Sequence, residues 1–593
     1  MKKIMILKQD NIKASQGVSR EVKACQGKSR RVRSSKFLGG IWVLMALMLM
    51  GLTGCINDVP FYKEEPEIKG DVVDYYITLT LTLPTQTYDT RSSTTADGES
   101  SSGYLEGSVN EVQLKQATLY FYDLSSYKVL LVVNEDPIIQ TREALVDKQF
   151  GLTYRVTLED LKKVLGKRVG LVVVGNEGSV YSGITHSLEE GADVFTAKFS
   201  ISSPMQRPIG DFGNDNKGQI MPLVNANEFT VDFSEIPASG TDQEISKNIK
   251  EKLNFSNNTI FLTPQLEMER AVARIDWKDT DRSQMEIKDP NIYQIGKTAL
   301  YIELYSLQEF NINKQSYLFK HTAKGTTKGA NSEQKLFGKE RKIPDGTKTD
   351  ENSDDSDDEE ESLYNWVAGA DWGSLTNSSY NKGGTFLNSS IIDPEKSIIT
   401  GVNGNTGSIK ISELSDRTTQ DGYYPWIYIS ENTLPSISTD LTAKASGIAF
   451  TFKIKNGTDD LTLEDVNTGT NLPSNISKAS NEEDETGKAI RITDEEGSYV
   501  IVPYTEVKGE NEEILLDESG YFLTYYGFIV HNNDEAYKDV MAPMYHGVVR
   551  NNVYQVSVKS ISGLPHPNEP ESQFLSLQIK VLAWAKRDIN VKF

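Results

Sequence analysis

The chain has 593 residues, with 62 Lys and Arg against 84 Asp and Glu, a net charge of −22 and two cysteines. That length supports two or more hydrophobic cores, since single cores stop growing at roughly 250–300 residues. A surface this acidic repels phosphate backbones and anionic lipid headgroups, which argues against nucleic acid as a partner.

The N-terminus reads as a targeting segment rather than as part of the fold. Residues 1–36 carry eleven Lys or Arg against Asp10 and Glu21, and the apolar run "FLGGIWVLMALMLMGLTGC" follows from Phe37. A basic region, an apolar region and small residues, in that order, predict a signal sequence over 1–54. Its end, Leu52, Thr53, Gly54 and Cys55, resembles the lipobox of bacterial lipoproteins, in which the cysteine is lipidated after cleavage ahead of it. A transmembrane anchor is the alternative, but the apolar run is short for a spanning helix. Loss of 1–54 removes Cys25, so Cys55 is the one remaining thiol and stability must come from burial. It also removes a charge of +9 (eleven minus two), which leaves about −31 on the mature chain. Residues 55–71, with Pro60 and Pro66, read as a tether.

The first structured element is "YYITLTLTL". Tyr75, Ile77, Leu79, Leu81 and Leu83 alternate with Tyr76 and three threonines, the pattern of a half-buried strand. Pro84 ends it, and the polar stretch to Ser108 has too little apolar content to join a core. Arg91 is therefore expected on open, protease-accessible chain.

Further strands are predicted over 111–123, 128–134, 168–176, 270–277, 299–312, 424–432, 446–454, 520–532, 551–561 and 574–585. Helical periodicity is scarce, and "TLEDLKKVLG" (157–166) is the best short helix, with Thr157 as N-cap and Gly166 as the stop. Many short strands between Gly, Asn, Asp and Ser clusters argue for an all-β protein of two antiparallel β-sandwich domains in tandem. The division expected is 72–277 and 278–593. The block "DENSDDSDDEEE", with nine acids in twelve residues, lacks the glycine and the spaced oxygen ligands of an EF-hand and reads as a solvated loop.

The sequence carries no evident catalytic signature. The five histidines are scattered without metal-ligand spacing, so no metal site or cofactor is expected. Gly175 and Gly178 depart from both the dinucleotide and P-loop patterns and read as turn formers. The aromatic set Tyr423, Tyr424, Trp426 and Tyr428 could stack on sugar rings but reads better as core and sheet surface. A non-enzymatic role is expected.

Taken in order, these features resemble the fimbrillin family of Bacteroidetes-type (type V) pili, and within it the shaft subunits of the minor, or short, fimbria. The resemblance rests on the lipobox, "YYITLTLTLP" followed by "TR", "VNEVQLKQATLYFYD", "RVGLVVVGN", "MERAVARIDW", "YISENTLP", "YYGFIVHNND", "VVRNNVYQVSVKSISGLPHP" and the ending "QIKVLAWAKRDINVKF". It implies transthyretin-like, Greek-key sandwiches, an outer-membrane lipoprotein precursor, and cleavage after an arginine by a trypsin-like protease. Carried onto this chain, the cut falls between Arg91 and Ser92 and discards Tyr75, Ile77, Leu79, Leu81 and Leu83. A neighbouring subunit then fills the vacancy with its C-terminal strand, which is donor-strand exchange. The partners implied are further copies of the chain, anchor and tip subunits, an arginine-specific protease, and host or bacterial surface ligands in adhesion, co-aggregation and biofilm formation. Tip or accessory adhesin, and surface glycan-binding lipoprotein, are the competing readings.

The residues make this scheme energetically reasonable. Five buried apolar side chains at about 1.5–3 kcal/mol each rival a domain's whole net stability of about 5–15 kcal/mol. The C-terminal segment supplies a strand of the same alternation: Leu575, Leu577, Ile579, Val581, Ala583 and Ala585, with Ile589, Val591 and Phe593 continuing the parity.

Overall fold

A computed structural model describes residues 74–83, 104–106, 110–134, 138–143, 148–178, 184–201, 220–278, 292–298, 300–310, 315–324, 334–337, 364–367, 409–415, 422–433, 445–469, 472–507, 514–531, 547–565 and 575–585. Cys55, Arg91, Ser92, the acidic block, and Ile589, Val591 and Phe593 lie outside these residues. What is described belongs to one compact unit, Glu67–Phe593, and is predominantly β.

The first core is enclosed by a 10-stranded sheet that folds over on itself. Its strands are β1 (Tyr75–Leu83), β3 (Ala117–Asp123), β4 (Val129–Val133), β5 (Ile138–Glu143), β6 (Lys148–Val156), β7 (Arg168–Gly175), β8 (Leu223–Asn225) and β9 (Thr259–Arg270), with two short strands at its margins. They run in the order β4-β3-β7-β8-β9-β1-β6-β5. The long β9 turns the corner. It pairs with β1 as far as Glu267 and with β8 from Met268 to Arg270, so one strand serves both layers. The layers are tied across the core where Tyr154 of β6 donates to the carbonyl of Ala117 in β3 at 2.8 Å.

The second core lies between a five-stranded and a seven-stranded sheet. The five-stranded sheet contains β2 (Tyr104–Glu106), β10 (Val272–Trp277), β12 (Tyr424–Ser430), β15 (Asn552–Ile561) and β16 (Leu575–Ala585), in the order β2-β16-β15-β10-β12. The facing sheet is built on β11 (Tyr301–Phe310), β13 (Gly447–Asn456) and β14 (Gly520–Phe528). Trp277 meets Phe450 across the gap with ring centroids 5.8 Å apart. Alternation divides the five-stranded sheet between the cores. Ala273, Ile275, Ile427, Ile429, Tyr554, Val556 and Ile579 face the second core, whereas Val272, Tyr428, Val553 and Leu582 belong to the first. A sheet covered on both faces explains why all six residues of β10 are buried.

Several expectations need correction. The sandwiches are not purely antiparallel: β1 with β9, β10 with β15, and β2 with β16 are parallel pairs. The partners are distant in sequence, so no hairpin turn dictates their direction. Residues 111–116 are not strand. Asn110–Val112 form a 3-10 turn, and the Asn176 carboxamide holds the next stretch through Lys115 N at 2.7 Å and Gln113 O at 2.7 Å. Gly175 is no turn former but the end of β7, where a Cβ would overlap Leu114; the turn is made by Asn176, at φ 59°.

The expected helix forms in a shorter span, α1 (Leu158–Lys162), with the Thr157 hydroxyl accepting from Asp160 N; Lys163, and not Gly166, is its C-cap, and turns lead on to Gly166 at φ 75°. A second, longer helix, α2 (Asp242–Lys252), has a Thr241–Glu244 capping box and buries Ile245 and Ile249. The signal for it was present in "TDQE" and in the two isoleucines four apart. Trp426 and Tyr428 are buried, as the core reading of the aromatic set expects.

Candidate functional site: the β1 slot and the C-terminal strand

The first strand is an interior strand. On one side β6 runs antiparallel to it over its whole length, from Tyr75 opposite Val156 to Leu83 opposite Lys148. On the other, β9 runs parallel, from Tyr76 opposite Thr259 to Thr82 opposite Glu267, with a register shift between Leu79 and Leu81. Both edges of β1 are thus hydrogen-bonded, and its removal would leave two unpaired edges facing one another.

The inward face is closed completely. Tyr75, Ile77, Leu79, Leu81 and Leu83 are each 0–2% exposed. Tyr75 reaches α2, where its hydroxyl donates to Ser246 Oγ at 2.6 Å and its ring lies 6.2 Å from that of Phe255. The outward face is uneven. Thr78 and Thr82 are buried, whereas Tyr76 and Thr80 are half-buried. The hydroxyls of Thr78 and Thr153 lie 3.0 Å apart, and Thr82 donates to the Leu266 carbonyl at 3.4 Å. Arg155 pairs with Asp74 at 2.7 Å where the strand begins.

The C-terminal strand sits elsewhere, in the sheet of the second core. β16 is antiparallel to β15 from Leu575 opposite Ile561 to Ala583 opposite Asn552. Among the described residues its outer edge is paired at the far end, where β2 runs parallel to Ala583, Trp584 and Ala585. Among the described residues no strand covers that edge from Leu575 to Leu582. Ile579 is buried, and Leu575 and Leu577 are half-buried on the same face. Leu582, which the apolar alternation passes over, is buried on the other face against the first core. Leu577 occupies a hollow made by a missing side chain: a Cβ on Gly527 would overlap it.

Two buried charge clusters secure the surroundings, and the sequence reading missed both. Arg274 binds Asp276 through Nε and Nη2, both at 2.8 Å, and Glu111 through Nη1 at 3.0 and 3.1 Å; Tyr428 donates to the same Glu111 at 2.7 Å. Arg270 donates to the Glu111 carbonyl at 3.1 Å and to Asn551 at 3.2 Å. Burial and the neighbouring Arg274 lower the Arg270 guanidinium to about 10 although Glu111 pulls it the other way. The second cluster joins Arg550 to Glu431 at 3.1 Å and to the carbonyls of Tyr317 and Leu318 at 2.6 and 2.9 Å. Charged residues placed within otherwise apolar strands, as in "RAVARIDW", were the available sign.

A separate shallow cavity of about 390 Å³ is lined by His186, Asp193 and Lys198 among others. Beside it burial alone would raise Glu177, but hydrogen bonds from His186, Thr118 and Gln116 outweigh it and hold the carboxyl below its usual range. Among the described residues no group of acidic, His or Cys side chains is arranged to hold a metal ion.

Residues 521–590, which contain β14, β15 and β16, match the family model described as major fimbrial subunit protein type IV, fimbrillin, C-terminal. Over this region the chain is similar to the fimbrillins. The match places both the Gly527 hollow and the strand that fills it inside the fimbrillin C-terminal region. No curated protein matches the chain. Among solved structures, this chain is similar to a candidate cell adhesion protein from Parabacteroides distasonis, with 10% identity over 86% of this chain and 98% of that one, TM-score 0.33. A candidate cell adhesion protein from Bacteroides eggerthii gives 10% identity over 87% and 98%, TM-score 0.31. A fimbrial assembly protein from Parabacteroides distasonis gives 8% over 73% and 100%, TM-score 0.26.

Proposed function

We propose that this chain is a structural shaft subunit of a surface fimbria. In this reading the chain is exported, lipidated at Cys55, cut between Arg91 and Ser92, and polymerised by donor-strand exchange. It meets further copies along the shaft and anchor and tip subunits at the ends, and the fibre serves adhesion. The coarser part, a fimbrial, adhesion-related protein of the cell surface, is supported by the fimbrillin match over 521–590.

One observation carries the finer part. β1 is flanked by strands on both sides and buries five side chains almost completely, yet it joins the rest of the chain through the single polar segment that holds Arg91. Burial worth roughly 8–15 kcal/mol cannot be lost without a substitute, so excision and replacement have to be coupled. The vacancy has the form that strand addition requires, two open edges over an apolar floor. A division of the mature chain into sandwiches over 72–277 and 278–593 belongs to the same proposal; core side chains before Val272 pack in the first core and most of those after it in the second, which supports it, although β2 and β10 lie in the sheet of the second core.

The test is cleavage of purified precursor by an arginine-specific protease, followed by electrophoresis without boiling. A ladder of SDS-resistant oligomers is the expected result. Cleavage at Arg91 that yields only monomer would overturn the proposal.

A further inference from the structure

The geometry of the slot points to one occupant in one orientation: residues 575–583 of a second copy of this chain, running in the direction of β1, with Leu575 in the place of Tyr75 and Lys580 at the opening held by Thr80. This inference rests on the strand-exchange reading and specifies which residues do the exchanging.

Two features of the slot select the frame. The inward positions of Tyr75, Ile77, Leu79, Leu81 and Leu83 are fully buried, so a replacement needs five apolar residues at alternate places. On the outward face the places of Thr78 and Thr82 are buried and those of Tyr76 and Thr80 half-open, so a charged side chain fits only at the latter pair. A frame over 585–593 fails because it sets Arg587 inward. A frame over 577–585 in the direction of β1 sets Lys580 at the Thr78 place, against Thr153, and Trp584 at the buried Thr82 place. Reversal over 583–575 again brings Lys580 against Thr153. Reversal over 585–577 puts Lys580 at the Thr80 opening but replaces Tyr75 and Ile77 by Ala585 and Ala583, leaving voids beneath α2.

The frame over 575–583 meets every condition. Leu575, Leu577, Ile579, Val581 and Ala583 point inward. Gln578 falls opposite the Thr153 hydroxyl, which it can engage as Thr78 does. Lys580 falls opposite Gly151, which offers no side chain to crowd it. Leu582 takes the buried Thr82 place. Ser246 is half-buried and can turn to water when the Tyr75 hydroxyl is gone.

The same strand is under-used where it lies. Among the described residues of its own subunit it has one full ladder and a three-residue partner, with Leu575 and Leu577 half-buried. In the slot it would have two ladders and five closed positions. On the described residues, transfer runs from a strand with one full ladder to a slot with two.

Cysteine pairs test the frame. The chain has no cysteine beyond Cys25 and Cys55, so a product that begins at Ser92 has none of its own. After wild-type fibres have been seen by electron microscopy, T153C is combined in turn with Q578C, K580C and L582C. Each precursor is cleaved, assembled and oxidised. The expected result is a reducible intermolecular ladder with Q578C and at least tenfold less with the other two. A ladder with K580C or L582C instead overturns the frame and leaves strand exchange standing. Fibres without a Q578C cross-link do the same. Absence of wild-type fibres defeats the underlying reading. Should T153C block assembly, G151C with K580C reports the same frame from the adjacent pair.

Discussion

Arg274 and Glu111, 163 residues apart, are joined by two hydrogen bonds of 3.0 and 3.1 Å with neither side chain exposed to solvent. Glu111 lies in the turn that follows β2, and Arg274 lies in β10, so the pair fixes the start of the first core onto the sheet of the second. Removing one partner would strand a buried charge, which typically costs about 3–5 kcal/mol. Urea denaturation of Arg274→Met should show a loss of that size. The double variant with Glu111→Gln should lose less than the two single variants added together.

Leu79 is 2% exposed at the middle of β1, where truncation leaves a cavity. Leu79→Ala should destabilise the precursor by about 2–5 kcal/mol. It should have no effect on fibres assembled after cleavage, because β1 is then gone. Thermal denaturation of both forms checks this, and an equal loss in fibres would show that the strand had stayed.

The Gly527 hollow makes a prediction about the C-terminal strand. Gly527→Val should displace Leu577 and loosen β16. Amide hydrogen exchange over 575–585 should accelerate by more than tenfold in the precursor. Adding Leu577→Ala should restore much of the protection, since the smaller side chain clears the new methyl groups.

His321 is buried between Tyr317, at a ring distance of 3.8 Å, and Phe195, at 4.7 Å. Burial lowers its pKa to about 4, against the pull of the Phe319 and Phe195 carbonyls and with the help of Arg550 and Lys198. An unfolded histidine titrates near 6.5, so the unfolded state binds more protons between about pH 6.5 and 4. Its contribution is therefore complete above about 6.5 and falls by about 1.4 kcal/mol per pH unit as pH drops through that window. His321→Gln should flatten the pH dependence of the unfolding free energy, read from urea denaturation, by that slope.

The strands were legible because burial on one face writes a period of two into the sequence. "YYITLTLTL", "RVGLVVVG" and "NVYQVSVKSI" each appear within a residue or two of the expected limits. Parallel pairing was not legible, because no local turn records which distant strand lies beside β1. Nor was Glu111 legible as the partner of Arg270 and Arg274, since it reaches them only after the chain has folded back across more than 150 residues. In the C-terminal strand the apolar parity was readable, whereas the burial of Leu582 depends on a second core packing against the opposite face.

The most direct test of the exchange is the intact mass of subunits recovered from fibres. The expected mass is that of a chain that begins at Ser92 and lacks Tyr75–Leu83, with no separate β1 peptide retained. Fibres whose subunits still hold residues 75–83, joined or as a bound fragment, would contradict it.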